Sequence, residues 1–506
     1  MNPLLTIDGY KSSHRPMYPK ETSLVYSSYI CRSTKRMPEQ AQDIVVSGIQ
    51  PMVMYIHKFW ENNFFKLPKD KVCGEAKEYL ESYLGAPYNV SHFEALHDLG
   101  YLPIEIKSLD EGTIINAGVP LFTIKNTHSD FFWLTNFLET SLSTLIWKPV
   151  HSASLAYSYK KILTKYALET DERNLGFVDF QGHDFSMRGM QSIEAAISSG
   201  MGFLTCFKGT DTIPAIQGIK EYYGDSNAGF SVPASEHSVM CAHGKEGEID
   251  TLLYLMNEFP KGILSVVSDT WDLWKLITEY LPKVKDRILA RDGKLVIRPD
   301  SGDPVDILCG SFHTIYANSE ENSPKYDYPK YGIEKDSPAY KGVIELLWDI
   351  FGGTINEQGY KVLNSHIGAI YGDSITLERA EQICERLKQK GFASTNVVLG
   401  VGSYSMGYAT RDNQGGAIKS SYVEIAGEPR EIFKDPVTDD GTKKSKKGLL
   451  MVFKDALDGQ IKCFDQCSWE DEQDGLLTTV YKDGKITKTV TLAEIRERIN
   501  FKINKT

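Results

Sequence analysis

The sequence predicts an α/β protein in which parallel β/α units fill the middle of the chain and both ends contribute to a second, mixed domain. Three observations carry this. Short apolar runs alternate with longer helical patterns between about residues 151 and 403, the order expected of parallel β/α units. Several of those runs end in Asp, Arg or Gly, where such folds place their functional groups. The stretches 1–150 and 404–506 share another texture, short strands broken by turn residues, which joins them as two parts of one flanking domain.

In the first stretch, residues 25–30 read as a strand and 44–65 carry apolar residues at helical spacing. Residues 104–111 and 120–124 alternate like strands around Asn116 and Gly118. In the middle, 152–168 predicts a helix. Strand candidates follow at 202–206, 262–267, 294–297, 365–371 and 396–399, with helices expected at 191–201, 234–258, 271–281, 341–351 and 376–390. Residues 310–340 are polar, rich in Tyr and Pro and aperiodic, which predicts a surface excursion ahead of the helix near 341. Beyond 404, turns at Gly459 and Asp483-Gly484 separate short strands.

Composition bounds the function. With 41% hydrophobic and 24% charged residues the chain is ordinary for a soluble globular protein. No apolar run approaches the roughly 18–20 residues that span a bilayer, and Asp8, Lys11 and His14 interrupt any export signal. Eight scattered cysteines, at 31, 73, 206, 241, 309, 384, 463 and 467, fit reduced thiols and a cytoplasmic protein. The net charge of 56 − 67 = −11 argues against general nucleic-acid binding. The segment Lys443-Lys444-Ser445-Lys446-Lys447 is a local basic exception suited to phosphates.

The strand ends supply the chemistry. They read Lys208-Gly209-Thr210-Asp211-Thr212, Ser268-Asp269, Arg298-Pro299-Asp300, Gly372-Asp373 and Gly400-Val401-Gly402-Ser403. Carboxylates there suit ribose hydroxyls or Mg²⁺, Arg forks suit phosphate oxygens, and the Gly loop offers backbone N–H groups. No GxxxxGK[ST] loop is present. His237 follows Pro233, which favours a helix start and puts the imidazole in a first turn that stabilises negative charge. In His183-Asp184-Phe185-Ser186-Met187-Arg188-Gly189, Phe185 suits ring stacking and Arg188 a phosphate. Each residue has a plainer alternative: Asp and Gly as turn formers, Phe185 as core, Arg188 as a solvated charge, His237 as a structural histidine. His237, Cys241 and His243 as metal ligands lack a fourth partner.

These segments, taken in order, resemble the nicotinamide phosphoribosyltransferase family. The resemblance rests on Asp8-Gly9-Tyr10-Lys11, HDFSMRG at 183–189, FKGTDT at 207–212, SVPASEHS at 231–238, SVVSD at 265–269, IRPDSGDP at 297–304, GD at 372–373, TRD at 410–412 and FKDPV with KKSKKG at 433–448. It implies a dimeric type II phosphoribosyltransferase: an irregular α/β barrel over 151–403, with a mixed α+β domain from 1–150 and 404–506. The implied reaction joins nicotinamide to phosphoribosyl pyrophosphate and releases pyrophosphate, with Mg²⁺ and stimulation by ATP.

By the same resemblance, Asp300, Gly372 and Asp373 hold ribose hydroxyls, and Arg188 and Arg298 face the pyrophosphate. Gly402 and Ser403, with Arg411 and Lys419 from a partner subunit, bind the 5′-phosphate. His237 is phosphorylated by ATP and oriented by Asp269, with Lys434 and Lys443 contacting ATP. Phe185 and a partner's Tyr10 sandwich the base beside Asp211. An aspartate there accepts hydrogen bonds from a carboxamide and repels a carboxylate, which favours nicotinamide over nicotinate. Departures from the family pattern are Thr270, Ser403, Ala417 and Met187.

Overall fold

A six-stranded, wholly parallel sheet lies at the centre of the computed structural model, which describes residues 1–311, 336–372, 374–438 and 445–504. Its strands run in the order Gly209–Thr210, Gly182–Asp184, Val397–Val401, Ile367–Tyr371, Asp292–Arg298 and Lys261–Val267. Strands covered on both faces need continuous apolar sequence, and Ile367–Tyr371 is buried at every position. The two edges do not stay open. Phe230 exchanges backbone hydrogen bonds with Lys208 and Thr210, while Pro233 and Ser235 exchange them with Ser265. The extended 230–235 segment thus bridges the edge strands and closes the sheet into an irregular barrel.

A second, seven-stranded sheet takes strands from both ends of the chain: Glu428–Glu431, Gly416–Ile425, Thr22–Cys31, Pro120–Asn126, Ile104–Ser108, Thr478–Lys482 and Lys485–Ile486. Its registered pairs are antiparallel. One 32-residue helix, Glu139–Thr170, serves both bodies. Leu142, Ile146 and Val150 enter the core of the mixed domain, and Ala153, Tyr157 and Leu163 enter that of the barrel. The final helix, Leu492–Ile503, returns to the barrel core through Leu492, Ile495 and Ile499. Its Arg496 donates to the carbonyls of Leu204, Phe207 and Ala228.

Three expectations change. Residues 202–206 are not a strand: they are the end of the helix Ile193–Leu204 and the turn after it. A short apolar run cannot by itself separate a strand from a buried helix. Gly202 lets this helix pack closely on the long one, since a Cβ there would lie 2.7 Å from the Pro149 carbonyl. The strand Gly182–Asp184 had no apolar run to announce it. The helix expected over 234–258 divides into His237–His243 and Glu248–Glu258, parted at Gly244 with φ 79°. Within the polar excursion, residues 312–335 lie outside the described residues; its ends meet, with Ser311 N–H donating to Ala339.

Candidate active site

Asp211, Phe185, Gly402, Gly372, Asp300 and Asp269 all follow the carboxyl ends of barrel strands. On one arc, Asp269 ties three elements together. Its Oδ1 pairs with His237 Nε2 at 3.2 Å, and its Oδ2 accepts from Asp300 N–H at 3.0 Å and Ser301 O–H at 2.5 Å. The Asp269 side chain is only 5% exposed while that of His237 is 48% exposed. A carboxylate on Nε2 favours a proton there and leaves Nδ1 as the lone-pair nitrogen. Arg298 donates to the Ser235 carbonyl at 2.6 Å, and its Nε is buried without a partner among the described residues. A Cβ on Gly372 would collide with Asp300 Oδ1, so the bare glycine is what lets that carboxylate lie against the strand-end backbone.

On the other arc, Asp211 Oδ1 accepts from His183 Nε2 at 2.8 Å and from Ser231 O–H at 2.5 Å. No described residue donates to Oδ2. Burial alone would raise the Asp211 pKa. The bonds from His183 and Ser231, helped by the charge of Arg298, outweigh it and hold the carboxyl below its ordinary value. Phe185 lies against His183 with ring centroids 4.5 Å apart and the planes tilted by 31°, and its N–H donates to Val401. A side chain on Gly400 would strike the Phe185 ring at 2.7 Å and the Tyr371 carbonyl at 2.6 Å. Two site residues were missed in the sequence. Their only signals are the HDFSMRG and SVPASEHS segments that contain them.

At the inner end of this second arc, Val397–Val401 leads through Gly402 into the short helix Ser403–Met406. Ser403 fills the space that a side chain on Gly189 would need, so the serine is accommodated by the neighbouring glycine. Arg188 is exposed on the adjoining Met187–Gly189 turn. Thr270 Oγ1 is buried without a partner among the described residues. Ala417 is buried in the mixed-domain strand Gly416–Ile425.

Tyr10, Arg411 and Lys419 form a separate exposed group. Lys419 and Lys11 both reach Glu139, at 3.3 Å and 2.5 Å, and Arg411 acts electrostatically on Tyr10. Among the described residues, the Tyr10 ring meets His14 and the Lys11 ammonium and makes no ring contact with Phe185. Lys434 is exposed, and its backbone pairs with Ser445. Asp373 and Lys443 lie outside the described residues.

Among the described residues, no three His, Cys, Asp or Glu side chains gather to hold a metal. Mg²⁺ needs no such cage, since it binds through one or two carboxylates together with substrate phosphates and water. The Asp300 carboxylate beside Gly372 fits that donor set. No helix among the described residues is long and apolar enough to cross a membrane, and all eight cysteines are free thiols.

Comparison with known proteins adds three findings. Residues 180–485 match the model of the nicotinate phosphoribosyltransferase (NAPRTase) family. The chain is 46% identical to the nicotinamide phosphoribosyltransferase of Acinetobacter baylyi, over 99% of this chain and 97% of that protein. It is 36% identical to the enzyme of that name from Mycoplasma pneumoniae, over 88% and 94% of the two chains. The corresponding Xanthomonas campestris protein is 31% identical, over 98% and 97%. Two solved structures share the fold at a TM-score of 0.54. They are nicotinate-nucleotide pyrophosphorylase from Pyrococcus furiosus, 13% identical over 100% of this chain and 96% of that one, and human nicotinic acid phosphoribosyltransferase, 15% identical over 98% and 93%.

Proposed function

The chain belongs to the nicotinate phosphoribosyltransferase (NAPRTase) family, and from that premise we propose that it transfers the phosphoribosyl group of phosphoribosyl pyrophosphate to nicotinamide. The products are nicotinamide mononucleotide and pyrophosphate. The observation that carries the choice of base is the Asp211 carboxylate, held ionised with Oδ2 left over and bonded through Oδ1 to His183, whose ring lies against Phe185. It accepts a hydrogen bond from a carboxamide NH₂. Toward nicotinate it sets carboxylate against carboxylate.

As pyrophosphate departs, ribose carbon 1 gains positive charge and the leaving group negative charge, so catalysis is a matter of positioning and electrostatics. Arg298 and Arg188 would receive the leaving pyrophosphate, and Asp300, Gly372 and Asp373 the ribose hydroxyls. Mg²⁺, when bound with the diphosphate and Asp300, would neutralise part of its charge. Gly402 and Ser403 would hold the 5′-phosphate. The exposed group of Tyr10, Arg411 and Lys419 suits a homodimer in which each subunit lends it to the other's barrel. ATP would phosphorylate His237 at Nδ1, releasing ADP, with Asp269 holding the opposite nitrogen and Lys434 and Lys443 contacting the nucleotide. Free thiols suit a cytoplasmic setting.

A turnover assay with phosphoribosyl pyrophosphate, Mg²⁺ and either base, with and without ATP, tests this. Nicotinamide should be much the better acceptor and ATP should stimulate its use; no nicotinamide mononucleotide under either condition overturns the proposal. His237→Ala should abolish the stimulation by ATP, and stimulation that persists removes the phosphohistidine role.

A further inference from the structure

The long helix Glu139–Thr170 carries a charge in its buried middle. Lys148 is 5% exposed, although lysine is almost never buried without an ionic partner. Among the described residues it forms no ion pair. Its Nζ instead donates to the carbonyl of Met406, the last residue of the short helix that follows Gly402. Farther along the long helix, Tyr159 O–H donates to the Ile375 carbonyl at 2.7 Å and meets Ser405 Oγ at 3.1 Å. Ser405 Oγ itself donates to Ile375 at 3.0 Å. One helix therefore secures the 402–406 loop at two points, and only one of them is charged.

Resting on the proposed function, we infer that Lys148 is a positioning residue for the ribose 5′-phosphate: it fixes the 402–406 loop through Met406 and sets a buried positive charge behind it. A neutral donor would serve for the hydrogen bond alone. The charge adds attraction for an anion on the far side of the loop, in surroundings where water screens it poorly.

Among the described residues, the titratable groups that act on Lys148 are Asp184 and His151, and the Trp147 ring lies 5.7 Å from its Nζ. Asp184, fully buried at the end of its strand, gives Oδ1 to Ser186 N–H and O–H and leaves Oδ2 without a hydrogen bond among the described residues. His151, on the same helix, is held neutral with a pKa pulled down to about 3 by burial and by Lys148. Burial pulls the Lys148 pKa down to about 8 against the opposing charge of Asp184. The ammonium is therefore present below that pH and lost above it.

The test is calorimetric binding of ribose 5-phosphate at pH 7 and pH 9.5, with steady-state kinetics and thermal melting, on wild type, Lys148→Met and Lys148→Arg. The phosphate gains a little negative charge across that range, so a fall in affinity toward pH 9.5 does not come from the ligand. Wild type should lose roughly tenfold in affinity between the two pH values. Lys148→Met should bind weakly at both, with a raised KM for phosphoribosyl pyrophosphate, an unchanged KM for nicotinamide and no loss of melting temperature. Lys148→Arg should recover affinity at pH 9.5. Equal binding by wild type at both pH values overturns the inference, and that result can be read even if Lys148→Met does not fold. If wild type shows the pH-dependent binding yet makes no nicotinamide mononucleotide, the functional proposal fails and the role of Lys148 in phosphate binding stands.

Discussion

The two arcs of the barrel mouth spend their carboxylates in opposite ways. On the arc from Lys261–Val267 to Ile367–Tyr371, Asp269 divides both oxygens among His237, Asp300 and Ser301, so that one side chain locks a helix and a loop together. On the arc from Gly209–Thr210 to Val397–Val401, Asp211 takes both of its donors on a single oxygen and leaves the other uncommitted. On the proposed function, the first arrangement serves as a frame for charge that moves during reaction, and the second as a fixed edge for recognising a neutral group. Variants should therefore divide by arc, and the largest effects belong to the frame.

Arg298→Ala should lower kcat/KM for phosphoribosyl pyrophosphate by roughly 10²–10³, the range for removing a preorganised charge stabiliser. Steady-state kinetics with each substrate varied will check it. An equal rise in the nicotinamide KM would erase the distinction between the arcs.

Asp211→Asn comes next. A hydrogen bond to a charged acceptor is worth about 1.5–3 kcal/mol, so nicotinamide kcat/KM should fall roughly 10- to 100-fold. Nicotinate should hold steady or improve, narrowing the gap between the bases. The pH dependence has a definite sign. Because the folded pKa of Asp211 is depressed, its contribution to stability is full above the unfolded value of about 3.9 and fades as pH falls through the folded value. The ratio of nicotinamide to nicotinate efficiency should accordingly stay flat from pH 8 down to about 5. A ratio that collapses near neutrality would mean that Asp211 is not the discriminating group.

Much of the frame was legible in the chain, because Asp269, Arg298 and Asp300 each follow a run of Val, Leu and Ile that reads as a buried strand. The recognition arc was less so. Two of its three strands are three and two residues long, too short to show an apolar pattern, and residues 202–206 imitated the missing one. The partners of Asp211 come from positions 28 and 20 residues away. They are brought in by the parallel pairing of Gly182–Asp184 with Gly209–Thr210 and by the return of the 230–235 segment, neither of which local sequence encodes. Lys148 was hidden for a similar reason: a lysine in a helical pattern reads as solvated until the helix is seen to lie between two domains.

Two glycines, one on each arc, make the finest division. A Cβ on Gly400 would stand 2.7 Å from the Phe185 ring and 2.6 Å from the Tyr371 carbonyl. The carbonyl belongs to the paired strand and cannot withdraw, whereas the ring can turn. Gly400→Ala should thus displace Phe185, raise the nicotinamide KM severalfold and cost about 1–3 kcal/mol of stability, as overpacking generally does. Gly372→Ala instead meets the Asp300 carboxylate. It should raise the KM for phosphoribosyl pyrophosphate and spare that for nicotinamide. Melting curves will show whether both variants remain folded, and the two KM values will show which substrate each has lost. If both glycines move the same KM, the arcs act as one site and the division between frame and edge does not describe this barrel.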